Sequence, residues 1–340
     1  MDRHDARLSD WRARALALEA EVARCVIGQA RVIRLVNTAV FARGHVLLQG
    51  DVGVGKTTLL RAFARVLGGD FARTEGTIDL MPNDLIYYTY IGAEGRPAVE
   101  PGPLVRHGEA LAIFFFNEIN RARPQVHSLL LRVMAERSVA AFNREFRFPH
   151  LLVFADRNRV EREETFEISA AARDRFMMEL TIDAPASDED RRALMFDPRY
   201  HDTDRLVGAL AQAMLPYAEL NAVAELIQHT VQASTALQNY ALGLWRATAV
   251  PAEYGVRLSD LDTARLMLAG ASPRGMSMLL RAARVVAWLE GRDYATPEDV
   301  QAVFFETIAH RLCLQPVYEM RRHEITAPLM AGILASVAAP

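Results

Sequence analysis

Three short stretches of the chain, 46–48, 111–116 and 151–155, are apolar at every position. A strand buried on one face alternates apolar and polar residues, whereas a strand covered on both faces is continuously apolar. Helical spacing follows the first stretch, where apolar residues fall on one face at Leu59, Leu60, Phe63, Val66 and Leu67. Such strands alternating with helices predict an α/β domain built on a doubly wound parallel sheet.

Beyond about residue 185 the strand signals fade and helical periodicity dominates. Ser272 and Pro273 predict a helix that runs to Leu289 and is closed by Gly291, because serine caps helices and proline suits their first position. Thr296, followed by proline and two acids, is a second such start. We therefore predict two domains, an α/β core over 1–185 and an α-helical domain over 186–340.

Two segments interrupt the pattern of the core. The first, at about 79–103, carries tyrosines at 87, 88 and 90 followed by Gly92 and Gly95, and predicts a hairpin or irregular insertion with exposed aromatic residues. The second, over 138–148, alternates around Asn143 and predicts a β-hairpin.

Composition excludes several classes of protein. The 340 residues are 51% hydrophobic and 24% charged, with a net charge of −3 and a pI near 6.3, which disfavours a protein that mainly wraps a polyanion. Cys25 and Cys313 lie far apart in sequence and predict buried, reduced thiols. Since no apolar run approaches the length of a membrane span and the first helix is charged, we expect a cytoplasmic location.

Residues 50–57, G-D-V-G-V-G-K-T, fit a phosphate-binding loop between the first strand and its helix. Of 39 lysines and arginines, Lys56 is the only lysine. A compact ammonium fits a narrow cradle of backbone amides that a planar guanidinium does not, so the motif explains its position. The alternative, a chance glycine-rich turn, would place the only lysine there by accident. The predicted nucleotide-binding residues are Gly50, Asp51, Val52, Gly53, Val54, Gly55, Lys56, Thr57, Thr58 and Gly28.

A carboxylate and an amide follow the next two apolar stretches. Glu118 is the predicted general base, because a carboxylate at the tip of a central strand can orient water for attack on the γ-phosphate. Asn158 is predicted to lie level with it, although an exposed glutamate and a turn-forming asparagine remain the alternatives. Thr57 and Asn117 are predicted to hold Mg²⁺, through bound water. Because Asn117 is uncharged, an aspartate there is expected to strengthen the magnesium dependence.

Two arginines complete the predicted site. Arg175 falls where a helix gives way to a strand and suits contact with the nucleotide of a neighbouring subunit, with Arg173 as a competing choice and a helix-end role as the alternative. Arg274 lies in the first turn of a helix, where the dipole disfavours a cation by about 0.3–1 kcal/mol. A bound phosphate would compensate that cost, and so would a surface salt bridge.

With these residues assembled, the chain resembles the AAA+ ATPases and, within them, the MoxR family of the helix-2-insert clade. The matching motifs are VIGQ at 26–29, GHVLL at 44–48, DLMPND at 79–84, NEINRA at 117–122, DRF at 174–176, GASPR at 270–274, LEGRDY at 289–294, TPED at 296–299 and HRL at 310–312. The resemblance implies that Asn158 is the first sensor, Arg175 the arginine finger and Arg274 the second sensor, and that the helical domain is the lid.

Three departures from the family pattern stand out. Asn117 replaces the usual aspartate before the catalytic glutamate, residues 156–159 read D-R-N-R where T-Q-N-P is common, and the glycine loop differs from the frequent G-x-P-G-x-A-K-T. The first departure puts fast turnover in doubt, and the second the geometry of the sensor.

The resemblance also implies a hexameric ring that hydrolyses ATP with Mg²⁺ and works with a von Willebrand factor type A domain protein on a metalloenzyme client, methanol dehydrogenase being the eponymous case. The leading hypothesis is thus a chaperone-like motor. A nucleic-acid remodeller is a second hypothesis, since Arg144 and Arg147 of the 138–148 hairpin suit phosphate contact, but the acidic net charge disfavours it. A slow nucleotide-switched scaffold is a third.

Overall fold

The computed structural model describes residues 3–158 and 166–340. Its main sheet has five strands: β1 (His45–Gly50), β2 (Asp70–Glu75), β5 (Leu111–Asn117), β8 (Leu152–Asn158) and β9 (Phe176–Thr181). They lie in the order β2-β5-β8-β1-β9, and the pairs β2–β5, β5–β8 and β1–β8 are parallel. Three two-stranded sheets are formed by β3 (Tyr87–Ile91) with β4 (Pro97–Pro101), β6 (Ser138–Ala141) with β7 (Arg144–Arg147), and β10 (Met267–Ala269) with β11 (Cys313–Leu314).

The three continuously apolar stretches are the three inner strands, as predicted. All seven residues of β5 are buried, and in β8 only Arg157 is partly exposed. Phe116 pairs with Ala155, and Gly50 pairs with Asn158. This register brings the carboxyl ends of β1, β5 and β8 to one edge of the sheet.

Helices flank the strands and are the main regular elements of the described residues after β9. They are α1 (Arg3–Ala23), α2 (Ala30–Phe41), α3 (Lys56–Leu67), α4 (Pro124–Glu136), α5 (Ala170–Arg173), α6 (Asp188–Phe196), α7 (Thr203–Gly208), α8 (Leu220–Thr230), α9 (Thr235–Ala249), α10 (Pro273–Leu289), α11 (Pro297–Ile308), α12 (Pro316–Glu319) and α13 (Arg322–Ser336). The helix predicted after the glycine loop is α3, which ends before Gly68.

Both irregular segments of the core are hairpins. β3 pairs with β4 in the insertion, and Tyr88 and Tyr90 there are exposed, as predicted. β6 pairs with β7 through a turn in which Phe142 and Asn143 both have positive φ. The rings of Tyr87 and Phe142 lie 5.6 Å apart, so the two hairpins contact each other through an aromatic pair.

Contacts divide the chain into two compact units. One contains Ala13–Arg175 and Leu180–Ala222; the other contains the chain up to Arg12, Phe176–Glu179 and Val223–Pro340. Thus α6 and α7, which the sequence assigns to the helical domain, belong to the unit with most of the sheet. The domain limits at 185 and 186 stay a prediction.

The helical unit contains both predicted helix starts. The Ser272 side chain accepts a hydrogen bond from the Gly275 N–H at 3.0 Å and caps α10. Thr296 caps α11 in a capping box with Asp299, whose carboxylate also accepts two hydrogen bonds from Arg292. These contacts fix where the two helices begin.

The two cysteines differ in environment. Cys25 is buried, and burial raises the pKa of its thiol to about 11, so the thiolate is scarce at neutral pH. Cys313 is partly exposed. Within 3–158 and 166–340, no helix is long and apolar enough to cross a membrane.

Candidate functional site

The glycine loop connects β1 to α3 at the carboxyl edge of the sheet. Gly53 and Gly55 have φ values of 82° and 92°, which side chains with a Cβ rarely adopt. A Cβ on Gly50 would overlap the carbonyl oxygen of Ile182. Three glycines of the motif therefore have a steric reason, and α3 begins directly after Gly55, with its N–H groups available to an anion.

Lys56 is 7% exposed and lies at the centre of this loop. Its Nζ donates hydrogen bonds to the carbonyl oxygens of Gly50 and Asp51, both at 2.8 Å, and to Oδ1 of Asn158 at 2.7 Å. Such a site places a positive charge where phosphates would approach the loop.

Asn158 connects the lysine to the predicted base. While its Oδ1 accepts from Lys56, its Nδ2 donates to Oε1 of Glu118 at 3.3 Å. The two hydrogen bonds fix the Asn158 amide and place Lys56, Asn158 and Glu118 in one chain of contacts. The structure thus brings together the three residues that the sequence assigns to binding, sensing and catalysis.

Glu118 has an unusual backbone. Its φ and ψ are 51° and 49°, in the left-handed region, immediately after β5 ends. Its Oε2 accepts a hydrogen bond from Arg121 at 2.9 Å, and its side chain is 20% exposed. The carboxylate is therefore within reach of water and held by Asn158 and Arg121.

A second carboxylate, Asp156, is part of this site, and the sequence analysis did not identify it as a site residue. It is 1% exposed, and its Oδ1 accepts the Glu118 N–H at 2.6 Å. In the orientation that satisfies its hydrogen bonds, the Asn117 amide donates through Nδ2 to both Asp156 oxygens, at 3.0 and 3.1 Å. Burial raises the pKa of Asp156 to about 6, while the Glu118 N–H and the charge of Lys56 act against that increase.

A signal for Asp156 does exist in the sequence. It is an acidic residue at the end of the apolar run 151–155, in a strand that reads as buried on both faces. A buried acid requires partners, because an isolated charge is costly to bury. The contacts that explain it come from β5, which is distant in sequence. Residue 159, the last of D-R-N-R, lies outside the described residues.

The remaining predicted residues lie on other elements of the chain. Arg175 lies between α5 and β9 and is partly exposed. Its Nη1 donates a hydrogen bond to the carbonyl oxygen of Ala171 at 2.9 Å. This is the kind of contact expected if Arg175 has a helix-end role, the alternative to contact with a nucleotide. Arg274 is exposed in the first turn of α10, in the helical unit. A Cβ on Gly28 would lie 2.8 Å from Pro185, so packing explains this glycine, and its contact with nucleotide stays a prediction.

The oxygen donors at the loop suit a hard cation held jointly with phosphates. Among the described residues, no group of three or more His, Cys, Asp or Glu side chains could hold a metal ion. Hydroxyl and amide oxygens are ligands that Mg²⁺ accepts, and Mg²⁺ usually keeps several waters and binds substrate phosphates. Thr57, partly buried at the start of α3, and Asn117 fit that mode of binding.

Comparisons with known proteins give similar proteins over the whole chain. Residues 45–178 match the ATPase family associated with various cellular activities (AAA), and residues 261–328 match an AAA lid domain. Over 336 residues the chain is 60% identical to the protein MoxR of Methylorubrum extorquens. The aligned residues cover 99% of this chain and 98% of that protein. It is 33% identical to the chaperone MoxR1 of Mycobacterium tuberculosis, over 94% of this chain and 81% of that protein.

A solved structure supports the same fold. The crystal structure of a protein described as an ATPase, from Cytophaga hutchinsonii, superposes on this chain with a TM-score of 0.83 and 27% sequence identity. The match covers 98% of this chain and 97% of that chain. The loop, Asn117, Glu118, Asn158 and Arg175 fall within the part matched by the ATPase model. Arg274 falls within the part matched by the lid model.

Proposed function

Because the chain belongs to the MoxR proteins, within the AAA ATPases, we propose that it is a ring-forming, magnesium-dependent ATPase that remodels a client protein. ATP hydrolysis follows from the family, whereas the client, the ring and the magnesium dependence are our proposal. The relative from M. tuberculosis is named a chaperone, which supports a protein client.

The contact chain from Lys56 through Asn158 to Glu118 is the observation that carries the proposal. A phosphate loop alone would bind a nucleotide without hydrolysing it. Here the residue that meets the phosphates is linked by one side chain to a carboxylate that can accept a proton from water. Mg²⁺, when bound, would neutralise phosphate charge; Thr57 and Asn117 are the residues that we assign to hold it.

The two hairpins favour a protein client over nucleic acid. Both Arg147 and Arg144 have partners within their own hairpin, since Arg147 donates two hydrogen bonds to Glu145 and Arg144 lies 4.3 Å from the centre of the Phe146 ring. In the insertion, by contrast, Tyr90 and Ile91 expose 53% and 70% of their surface. Exposed apolar side chains in one hairpin are suited to protein contact.

Capture of the client tests this function. Glu118→Gln protein, tagged and loaded with ATP, should retain a client that a native lysate supplies, because the step that releases it is blocked. We expect a von Willebrand factor type A protein or a cofactor-dependent enzyme by mass spectrometry, and neither with Lys56→Ala as the control. Recovery of nucleic acid and its processing proteins instead would favour a nucleic-acid remodeller.

In the ring that we propose, Arg175 contacts the nucleotide of the adjacent subunit. We expect Arg175→Ala to lower ATP turnover by about 10–100-fold, the effect of losing a charged hydrogen bond at the reacting phosphate, with nucleotide affinity little changed. Steady-state hydrolysis and nucleotide titration measure the two effects separately.

Arg173→Ala is the matched control, since Arg173 is two residues away, at the end of the short helix α5. If Arg173→Ala lowers turnover and Arg175→Ala does not, Arg173 is the finger. If mixing the Arg175→Ala and Glu118→Gln variants restores no activity at any ratio, Arg175 does not act between subunits.

A further inference from the structure

We propose that Asp156 is a positioning carboxylate of the ATP site, which orients the Asn117 amide towards magnesium and holds the backbone of Glu118. The pair Asn117–Asp156 thereby replaces a single acid on β5 with an amide on β5 and an acid on the adjacent strand. The proposal rests on the magnesium-dependent ATPase function given above.

Strand register places the two residues side by side. Phe116 pairs with Ala155 in parallel strands, so the next residue of each strand, Asn117 and Asp156, lies at the same level. Their side chains make the contacts of 3.0 and 3.1 Å described above, and both are buried, at 7% and 1% exposure. The contact is thus built into the core of the sheet.

An asparagine can bind a metal or its water only through its oxygen, and nothing in the residue itself decides which end of the amide faces the site. Asp156 decides it, because an ionised carboxylate only accepts hydrogen bonds. The NH₂ group therefore faces Asp156, and Oδ1 faces away from it. Without that acceptor the amide can turn and present a donor, which repels a cation.

The second contact of Asp156 acts on the general base. Its Oδ1 accepts the Glu118 N–H at 2.6 Å, at a residue held in the left-handed region. Non-glycine residues are uncommon there, so a strong contact is needed to keep that backbone. One carboxylate thus positions both the amide proposed for magnesium and the backbone of the base.

Because the site is shared between two strands, we expect it to tolerate an exchange of the acid and the amide between positions 117 and 156. Asn117→Asp alone would place two carboxylates in contact, and they repel. That repulsion acts against the effect expected from the sequence, in which Asn117→Asp strengthens the magnesium dependence. Asn117→Asp combined with Asp156→Asn keeps one acid and one amide in contact, with the amide again donating to the acid.

Binding of a fluorescent ATP analogue, titrated with Mg²⁺, tests the proposal without requiring turnover. We expect Asp156→Asn to raise the Mg²⁺ midpoint by about 10–100-fold, because an asparagine at 156 offers both a donor and an acceptor and so no longer fixes which end of the Asn117 amide faces it. Affinity for the analogue in excess EDTA should stay within about threefold of wild type, since Lys56 and the loop are unchanged. The double variant should bind Mg²⁺ better than either single variant.

Asp299→Asn is the control, because Asp299 is also a buried acid, 3% exposed, but lies in the helical unit. We expect it to lower the unfolding temperature and leave the Mg²⁺ midpoint unchanged. A wild-type midpoint for Asp156→Asn, or a double variant no better than the singles, would overturn the role of Asp156.

Two further outcomes are decisive. If Asp156→Asn does not fold, the double variant decides alone: it must fold and bind Mg²⁺ near the wild-type midpoint, and failure of either overturns the proposal. Wild-type protein that binds the analogue equally well with and without Mg²⁺ would overturn both this inference and the magnesium dependence of the proposed function.

Discussion

Lys56→Ala is expected to lower nucleotide affinity by about 100-fold or more, because it removes the charge-assisted hydrogen bonds that the loop offers to phosphate. In the structure Nζ lies within 2.8 Å of three oxygen atoms, from Gly50, Asp51 and Asn158, and the substitution removes the donor that all three share. Titration with a fluorescent ATP analogue measures the loss.

Lys56→Arg is the sharper test, since it keeps the charge. A guanidinium is too broad for a buried cradle, so we expect a loss close to that of Lys56→Ala. Arg61→Lys on the same helix is the control; its guanidinium makes an ion pair with Asp204, whose side chain is 80% exposed, and the exchange should change little. Wild-type binding by Lys56→Arg would show that a positive charge is sufficient at this position, and the shape of the ammonium would then not explain the only lysine of the chain.

Glu118→Gln is expected to abolish steady-state ATP hydrolysis, with a loss of about 10²–10⁴-fold, while ATP still binds. Glutamine keeps the size of the side chain, and its one amide oxygen can still accept a hydrogen bond from Asn158 or from Arg121, but it cannot accept a proton from water. Single-turnover hydrolysis and nucleotide titration separate the two effects.

Glu75→Gln serves as the control for this prediction. Glu75 ends the neighbouring strand β2 opposite Asn117, at the same edge of the sheet, but its side chain is 58% exposed. Near-wild-type turnover is expected from it. If Glu118→Gln hydrolyses ATP at the wild-type rate, another group activates water and the assignment of the base is wrong.

Features that depend on nearby residues could be predicted from the sequence. Continuous apolarity identifies β5 and β8, and the Ser272 and Thr296 caps give the starts of α10 and α11 to the residue. The glycine loop is equally local, because each of its requirements is a backbone angle or a close approach within one turn. Local physics is sufficient in all these cases.

Features that depend on pairing between distant segments could not be predicted from the sequence. The role of Asp156 can be recognised only from the register of β5 and β8, which places it against Asn117. The start of the chain is a similar case: Arg12 donates to the carbonyl of Leu289, and Trp288 donates to that of Leu8, across more than 270 positions. Periodicity predicts that first helix but does not say what it packs against.

The single lysine also limits how this chain can be covalently modified. For acetylation, carbamylation or isopeptide attachment at a side-chain amine, the sequence offers only Lys56. That amine is buried and donates hydrogen bonds to three oxygens. We therefore expect any such modification of a lysine side chain to coincide with loss of nucleotide binding, so that a copy acylated at Lys56 is inactive.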